Sequence, residues 1–230
     1  MNLSGKVFVV TGAPGALGQA VAACLIARGA KLALLGNRAR PGAKRPAGAL
    51  MYTGVDLSQT DAASEICGQV FKEMGRIDGL VNLAGGFQWD EIEGSLLESW
   101  ESMFRANLLT AVVACEAVVP YLLRAKRGAI VNIGATGAIK AARGMGAYAA
   151  SKAGVVKLTE ALADEVKDRG ITVNAVLPGI IDTPGNRASM PHADFARWVS
   201  PMAVAEAIAF LLSDQARDIS GVSLPVTGRA

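Results

Sequence analysis

The stretch Thr11-Gly12-Ala13-Pro14-Gly15-Ala16-Leu17-Gly18 decides the fold, because it separates a short apolar run from a helical pattern near the N-terminus. Gly12 permits a sharp turn there, Gly15 allows the backbone to approach a pyrophosphate, and Gly18 lets the following helix pack against the strand. The N-terminus of that helix adds N–H donors and a dipole that favours an anion. The stretch therefore predicts a turn between strand and helix that holds the phosphates of a nucleotide.

The alternation of strand and helix continues along the chain. Near-continuous apolar runs, which predict strands, lie at 6–10, 31–35, 50–54, 80–82, 129–133, 172–176 and 222–226. Helical patterns lie at 17–28, 62–74, 99–123, 146–169 and 203–212. Apolar strands without polar alternation are typical of a parallel sheet that helices cover on both faces. The sequence therefore predicts an α/β fold in one domain, 1–230, since no linker or charge block divides it.

Composition excludes several classes of function. The formal net charge is only +3, so the cluster of Arg38, Arg40, Lys44 and Arg45 indicates a local anion site and not a nucleic-acid surface. The three cysteines are widely separated in apolar patterns, which predicts buried thiols in a reducing cytoplasm. Neither a disulfide framework nor a metal site is expected.

No stretch is predicted to cross a membrane. The most apolar one, 108–123, contains Glu116 and Pro120. A strand is predicted within a few residues of Met1, which leaves no room for a signal peptide.

The second informative stretch, Tyr148-Ala149-Ala150-Ser151-Lys152, predicts acid–base chemistry. A Tyr and a Lys four residues apart lie on one face of a helix, so the ammonium can sit near the phenol and lower its pKa. A tyrosine at its ordinary pKa of about 10 is otherwise a poor proton donor at neutral pH. Asn107 is the third candidate catalytic residue, because it interrupts an apolar helix where a polar side chain is costly unless it is paired.

The end of the second predicted strand bears on the choice of nucleotide. NAD sites usually place an Asp or Glu there for the ribose hydroxyls, whereas this chain has Leu34-Leu35-Gly36-Asn37-Arg38. Arg38, helped by Asn37 and Arg40, could instead bind a 2′-phosphate through charge-assisted hydrogen bonds. This favours NADP(H) over NAD(H). The alternative is that these cations are simply solvated.

The segment 182–201 breaks the rhythm and is predicted to be an irregular loop or short lid beside the substrate. It contains three prolines, the only histidine and Trp198. Its Arg187, His192, Asp194 and Trp198 either contact the substrate or hold the shape of the loop.

In order and along nearly the whole chain, these motifs resemble the short-chain dehydrogenase/reductase family. Asn107 falls at the family's catalytic asparagine, and Tyr148 and Lys152 at its Tyr-x-x-x-Lys pair. The resemblance implies a three-layer Rossmann fold with a doubly wound, seven-stranded parallel sheet, a small-molecule substrate, and a homodimer or homotetramer. It also implies that the cofactor contacts Gly12, Pro14, Gly15, Leu17, Gly18, Asn37, Arg38, Asp56, Leu57, Asn82, Ala84, Gly85, Tyr148, Lys152, Pro178, Gly179, Ile181 and Thr183.

The chain departs from the family pattern twice. In the glycine turn, Ala16 replaces the middle glycine and Gly15 lies one place earlier. The family's catalytic serine lies thirteen residues before the tyrosine, which is Ala135 in this chain and has no hydroxyl. Thr136 is adjacent, but a shift of one residue at a strand end normally points the side chain elsewhere. Two possibilities stay open: either Thr136 or nothing replaces the serine.

A narrower resemblance, to quinoid dihydropteridine reductases, would account for the missing serine. That branch is similar in the end of the glycine turn, in the alanine at 135, and in the irregular string 182–194. An electron-poor quinonoid or diketone substrate needs less polarisation and so tolerates the loss of the serine hydroxyl.

The predicted reaction is hydride transfer from NADPH to an activated carbonyl or quinonoid substrate. Tyr148 would donate the proton, Lys152 would lower the phenol pKa and bind the nicotinamide ribose, and Asn107 would position a water. Within the same class, the alternatives are an ordinary ketone or 3-oxoacyl reductase, or an alcohol dehydrogenase working in the other direction. Outside it, the alternative is a dinucleotide-binding sensor without turnover.

Overall fold

The computed structural model describes residues 1–37, 46–94 and 97–229, in which seven strands form one sheet. The strands are β1 (Val7–Thr11), β2 (Lys31–Gly36), β3 (Ala49–Thr53), β4 (Gly79–Asn82), β5 (Gly128–Ile133), β6 (Ile171–Pro178) and β7 (Ser223–Val226). Their order is β3-β2-β1-β4-β5-β6-β7, and every neighbouring pair is parallel. The order reverses between β1 and β4. This confirms the predicted doubly wound, seven-stranded α/β fold.

Helices cover both faces of this sheet. They are α1 (Ala16–Ile26), α2 (Thr60–Met74), α3 (Leu97–Met103), α4 (Thr110–Ala125), α5 (Gly146–Val166), α6 (Pro184–Ser189) and α7 (Pro201–Leu211). One apolar layer joins the sheet to α1 and α7, and the other joins it to α2, α4 and α5. Along β1, Phe8 and Val10 belong to the first layer, whereas Val7 and Val9 belong to the second. The strand is therefore apolar at every position because both of its faces are buried.

A π-helical turn, Phe104–Leu109, joins α3 to α4 in one continuous helix from Leu97 to Ala125. By length and composition alone this helix is long and apolar enough to cross a membrane, although no stretch was predicted to do so. The helix continues through Glu116 and Pro120, which are both exposed. The opposite side packs against the sheet, and a core helix of a globular domain passes the same test.

The segment 182–201 is more regular than predicted, because it contains α6 and a short 3₁₀ turn, Phe195–Arg197. Thr183 caps α6 by accepting a hydrogen bond from the Asn186 N–H, and Pro184 occupies the first turn. Pro184, which indicated a break in the regular structure, therefore lies at the start of a helix.

Candidate active site

The glycine turn after β1 is shaped by close backbone contacts. Gly12 has a φ of +65°, and a Cβ on it would lie 2.6 Å from the carbonyl carbon of Leu83. A Cβ on Gly18 would lie 2.5 Å from the carbonyl oxygen of Gly12. Both positions therefore require glycine for the packing of the turn, whatever the turn binds.

Gly15 differs, because a Cβ on it would meet only the Gly12 carbonyl oxygen, at 3.2 Å. It is exposed and directly precedes α1, whose first turn contains no acidic residue and, within the described part of the chain, no capping side chain. The first N–H groups of α1 are thus available to an anion. This cradle fits the pyrophosphate of a dinucleotide, and Pro14 and Leu17 lie in the same turn, half-buried.

The predicted adenosine side of the site is only partly described. Asn37 is exposed just after β2, whereas Arg38 and Arg40 lie outside the described residues. The Asp56 carboxylate accepts hydrogen bonds from the side chain and the N–H of Ser58 at 2.7 and 2.9 Å, which hold the pKa of Asp56 below its usual value. Asp56 is exposed, but the side chain of Leu57 is buried in the apolar core. Leu57 could therefore meet a nucleotide only through its backbone.

A buried polar network fixes the carboxyl ends of β1, β4 and β5. Asn82 Nδ2 donates to Asn132 Oδ1 at 2.9 Å, and Thr11 Oγ1 accepts hydrogen bonds from the N–H groups of Leu83 and Ala84, each at 3.1 Å. The side chain of Asn82 is therefore engaged inside the sheet. The network sets the path of Ala84 and Gly85, which lie where the strand order reverses.

Asn107 lies in the π-helical turn and is almost completely buried. Its Nδ2 donates to the Gly86 carbonyl at 3.1 Å and to Ser151 Oγ at 3.0 Å, and its Oδ1 accepts from the Gly86 N–H at 3.0 Å. The Ser151 hydroxyl in turn donates to the Tyr148 carbonyl at 2.7 Å. The side chain of Asn107 is thus held entirely by protein groups, and it ties the turn after β4 to α5.

Tyr148 and Lys152 lie one turn apart on α5, as the spacing predicts. Lys152 Nζ donates to the Ile133 carbonyl at 2.8 Å, and burial lowers the pKa of Lys152 to about 8. Burial also raises the pKa of Tyr148 to about 12. Desolvation of the phenol therefore dominates and the ammonium points to the Ile133 carbonyl, so the lowering of the phenol pKa by Lys152 stays a prediction.

The three candidate catalytic residues line one cavity of about 640 Å³ at the carboxyl ends of the strands. This volume is within the range of small-molecule sites. Its walls come from the turn after β4, the end of β5 and the start of α5, and, across from these, the segment from Pro178 to α6. The structure therefore brings Asn107, Tyr148, Lys152, Gly85, Pro178, Gly179 and Ile181 together around one space.

The segment after β6 is held in place by several contacts. The Gly179 N–H donates to the Val226 carbonyl at 3.0 Å, and Ile181 forms an isolated bridge with Val199. Arg187 forms two hydrogen bonds with the Asp182 carboxylate, at 2.6 and 2.8 Å, and its guanidinium lies over the Phe195 ring. Trp198 is buried against Phe195.

The sequence left two roles open for residues of the segment 182–201, contact with the substrate or support of the shape of the loop. Arg187 and Trp198 make the contacts just described, and Asp194 accepts a hydrogen bond from the Ala196 N–H at 3.1 Å. None of these residues lines the cavity, and His192 is exposed away from it. Their contacts hold the shape of the segment, while Asn186, Ser189 and Met190 of this segment reach the cavity.

Ala135 and Thr136 both line the cavity beside Tyr148. Ala135 is buried in extended backbone at the end of β5, so the wall has a methyl group where the family pattern has a hydroxyl. Thr136 is half-buried and begins a 3₁₀ turn.

Sequence reasoning did not identify Phe87, Trp89, Arg143 and Ser151 as parts of this site. The first three line the cavity, and Ser151 bonds Asn107. A signal was available for Ser151 alone, since it is a polar residue between Tyr148 and Lys152 on a helix. The aromatic residues lie on a connection whose path depends on the loop before α5.

The fold and the cavity define a nucleotide-dependent oxidoreductase. Residues 6–194 match the family model described as short chain dehydrogenase, so the chain belongs to the short-chain dehydrogenase/reductase family. This confirms the broader resemblance; the narrower dihydropteridine reductase branch is not shown.

The similarity to known proteins extends over nearly the whole chain. It is 34% identical to a 3-oxoacyl-[acyl-carrier-protein] reductase of Escherichia coli, over 99% of this chain and 98% of the relative. It is 35% identical to the D-threitol dehydrogenase of Mycolicibacterium smegmatis, over 99% and 93%. The aldohexose dehydrogenase of Thermoplasma acidophilum, solved in ligand-free form, superposes with a TM-score of 0.90 at 30% identity, covering 99% of this chain and 94% of that one.

Proposed function

We propose that the protein is an NADPH-dependent reductase of activated carbonyl or quinonoid compounds. The observation that carries the proposal is the methyl group of Ala135, which lies in the cavity wall beside Tyr148. A site without that hydroxyl favours an acceptor that needs little polarisation of its oxygen. Binding of NADP(H) is supported by the missing carboxylate at the end of β2 and by Arg38 in the sequence.

In this proposal, bound NADPH supplies the hydride and the residues of the chain manage the proton. Tyr148 donates it, and a positive charge close to the phenol is needed to offset the desolvation that raises the pKa of Tyr148 to about 12. Lys152, whose ammonium bonds to the Ile133 carbonyl in the structure, would hold the nicotinamide ribose and bring that positive charge toward the phenol. Asn107 holds the turn after β4 against α5, so that Gly85 lies beside Lys152.

A second candidate function is the reduction of a 3-oxoacyl group. It is favoured by the relatives from Escherichia coli and Vibrio cholerae, both 3-oxoacyl-[acyl-carrier-protein] reductases. Thr136, which lines the cavity, would then hold the substrate oxygen.

One set of measurements tests both candidates. The purified protein is titrated with NADPH and NADH by fluorescence, and oxidation of NADPH is then followed with a 1,2-diketone, a quinone, a 3-oxoacyl thioester and a simple ketone. Turnover of only the diketone or quinone supports the first candidate, whereas preferred turnover of the thioester supports the second. Tight binding of NADPH without oxidation by any of them would contradict both and favour a sensor.

Two variants complete this test. Tyr148→Phe should lower kcat by about 10²-fold or more while the Kd for NADPH changes less than about twofold. Tyr121→Phe is the matched control, because Tyr121 packs on Phe71 away from the cavity. Arg38→Ala should weaken NADPH binding by about tenfold and leave NADH binding unchanged.

The proposed setting is a cytoplasmic homodimer or homotetramer. The three cysteines are free and buried, which fits a reducing compartment. Phe104 and Leu109 expose apolar surface on the helix 97–125, where a second copy could pack. Sedimentation analysis with Leu109→Glu tests the contact, and an unchanged oligomer would exclude it.

A further inference from the structure

Two aromatic rings lie at one wall of the cavity and are more exposed than rings of their size usually are. Phe87 and Trp89 are 58% and 57% exposed, and both line the cavity that Tyr148 and Lys152 share. Large apolar faces are favourable against another apolar or conjugated surface, and unfavourable against water. Their position beside the reacting groups indicates that the covering surface is the substrate.

The rings are held in place by contacts within the protein. Phe87 packs edge-on against the ring of Tyr148, with centroids 5.0 Å apart and an angle of 79° between the planes. The indole of Trp89 lies against Gly144 so closely that any Cβ on Gly144 would overlap it. The Asp90 N–H donates to the Gly144 carbonyl at 2.8 Å, and this hydrogen bond holds the Trp89 indole against Gly144. The wall is therefore built before any substrate binds.

The charges around the cavity indicate an uncharged substrate. Arg143 is an exposed cation in the described lining. Its Nη2 forms an ion pair with Glu91 Oε2 at 2.8 Å. Lys152 is engaged by the Ile133 carbonyl, and no carboxylate belongs to the described lining. Met145, Ile180 and Met190 add apolar surface to the lining. Polarizable methionine side chains also adapt to the faces of conjugated rings.

We propose that Phe87 and Trp89 form an aromatic wall that selects uncharged, planar, conjugated carbonyl or quinonoid substrates over flexible aliphatic ones. This rests on the proposed reductase function and assigns its substrate class. The wall binds the flat face of the acceptor and places its carbonyl at the Tyr148 hydroxyl.

The experiment compares two diketones that share an adjacent dicarbonyl group, 1-phenyl-1,2-propanedione and 2,3-pentanedione, at saturating NADPH. The wild-type protein should have a KM about tenfold lower for the phenyl compound. Trp89→Leu and Phe87→Leu should each raise that KM about three- to tenfold and change the KM of the aliphatic compound less than twofold. Trp89→Phe should keep the preference, because it keeps an aromatic face.

Ile92→Ala is the matched control, since Ile92 is 78% exposed on the same connection but does not line the cavity. It should change neither KM. If the ratio of the two KM values is the same in the wild-type protein and in both leucine variants, the aromatic wall is overturned while the reductase function stands.

A binding measurement separates this inference from the proposed function. The phenyl diketone should quench the indole fluorescence of the wild-type protein in the presence of NADP⁺, and Trp89→Phe should remove most of this quenching. Quenching without turnover of either diketone would contradict the reductase and support the wall. Absence of any quenching up to millimolar diketone would overturn the wall.

Discussion

Asn107 Nδ2 donates a hydrogen bond of 3.0 Å to Ser151 Oγ, and this bond links the π-helical turn to the helix that carries Tyr148 and Lys152. A π-helical turn inside an α-helix is often found at functional sites. Here it coincides with the residue that also binds both backbone groups of Gly86. One amide therefore sets the distance between the turn after β4 and α5.

Ser151→Ala should disturb the site through this bond. It leaves a buried N–H of Asn107 without its acceptor, which costs about 1–3 kcal/mol of the free energy of unfolding. We expect kcat to fall about tenfold while the Kd for NADPH stays within twofold, as urea denaturation and steady-state kinetics would measure. Ser151→Cys keeps the volume but bonds weakly, so full activity in that variant would show that packing matters and the hydrogen bond does not.

Lys152 should make stability depend on pH. Its pKa falls from 10.5 in the unfolded chain to about 8 in the fold because of burial. Between these values the unfolded state binds more protons at this site, so Lys152 contributes a rise of up to about 2 kcal/mol in the free energy of unfolding between pH 7 and 9.5. The buried thiols of Cys67 and Cys115, whose pKa values burial raises to about 12, act in the opposite direction above pH 8, so the contribution of Lys152 is the difference between the wild-type protein and Lys152→Met. Urea denaturation of both proteins at both pH values checks this, and the same change with pH in both would contradict the assignment.

Ala135→Ser should restore the hydroxyl that the family pattern has at this place. The backbone of Ala135 is extended and its side chain lines the cavity, so serine fits with one added oxygen. We expect kcat/KM to rise about tenfold for a simple ketone and to change little for a 1,2-diketone. If Thr136 already holds the substrate oxygen, Ala135→Ser will have no effect and Thr136→Ala will lower kcat/KM instead.

Gly15→Ala and Gly18→Ala should separate nucleotide binding from folding. The Cβ on Gly18 would overlap the Gly12 carbonyl, which should cost about 1–3 kcal/mol of stability. The Cβ on Gly15 would meet one atom tightly, the Gly12 carbonyl oxygen at 3.2 Å, and Gly15 directly precedes the N-terminus of α1 in the proposed phosphate site. Gly15→Ala should therefore lower the melting temperature less than Gly18→Ala does and lose about tenfold or more in NADPH affinity. If Gly15→Ala and the wild-type protein bind NADPH with equal affinity, a pyrophosphate at this turn is excluded.

Much of the fold was predictable because its signals are local. Buried strands require apolar residues at every position, as Val7, Phe8, Val9 and Val10 show, and the glycine turn needs a residue without a side chain at Gly12 and Gly18. The one-turn spacing of Tyr148 and Lys152 follows from helical geometry alone. The short helix α6 was not predicted, because a local signal such as Pro184 is compatible with both a break in the regular structure and the start of a helix.

The sequence by itself determined the order of strands and helices, the glycine turn and the Tyr148–Lys152 pair, since each follows from neighbours in the chain. Only the tertiary structure decided that Ser151 bonds Asn107, that Lys152 points to Ile133, and that Phe87 and Trp89 form the wall of the cavity. These relationships join segments that are distant in sequence, and the desolvation that sets the pKa values of Tyr148 and Lys152 exists only once the layers have packed.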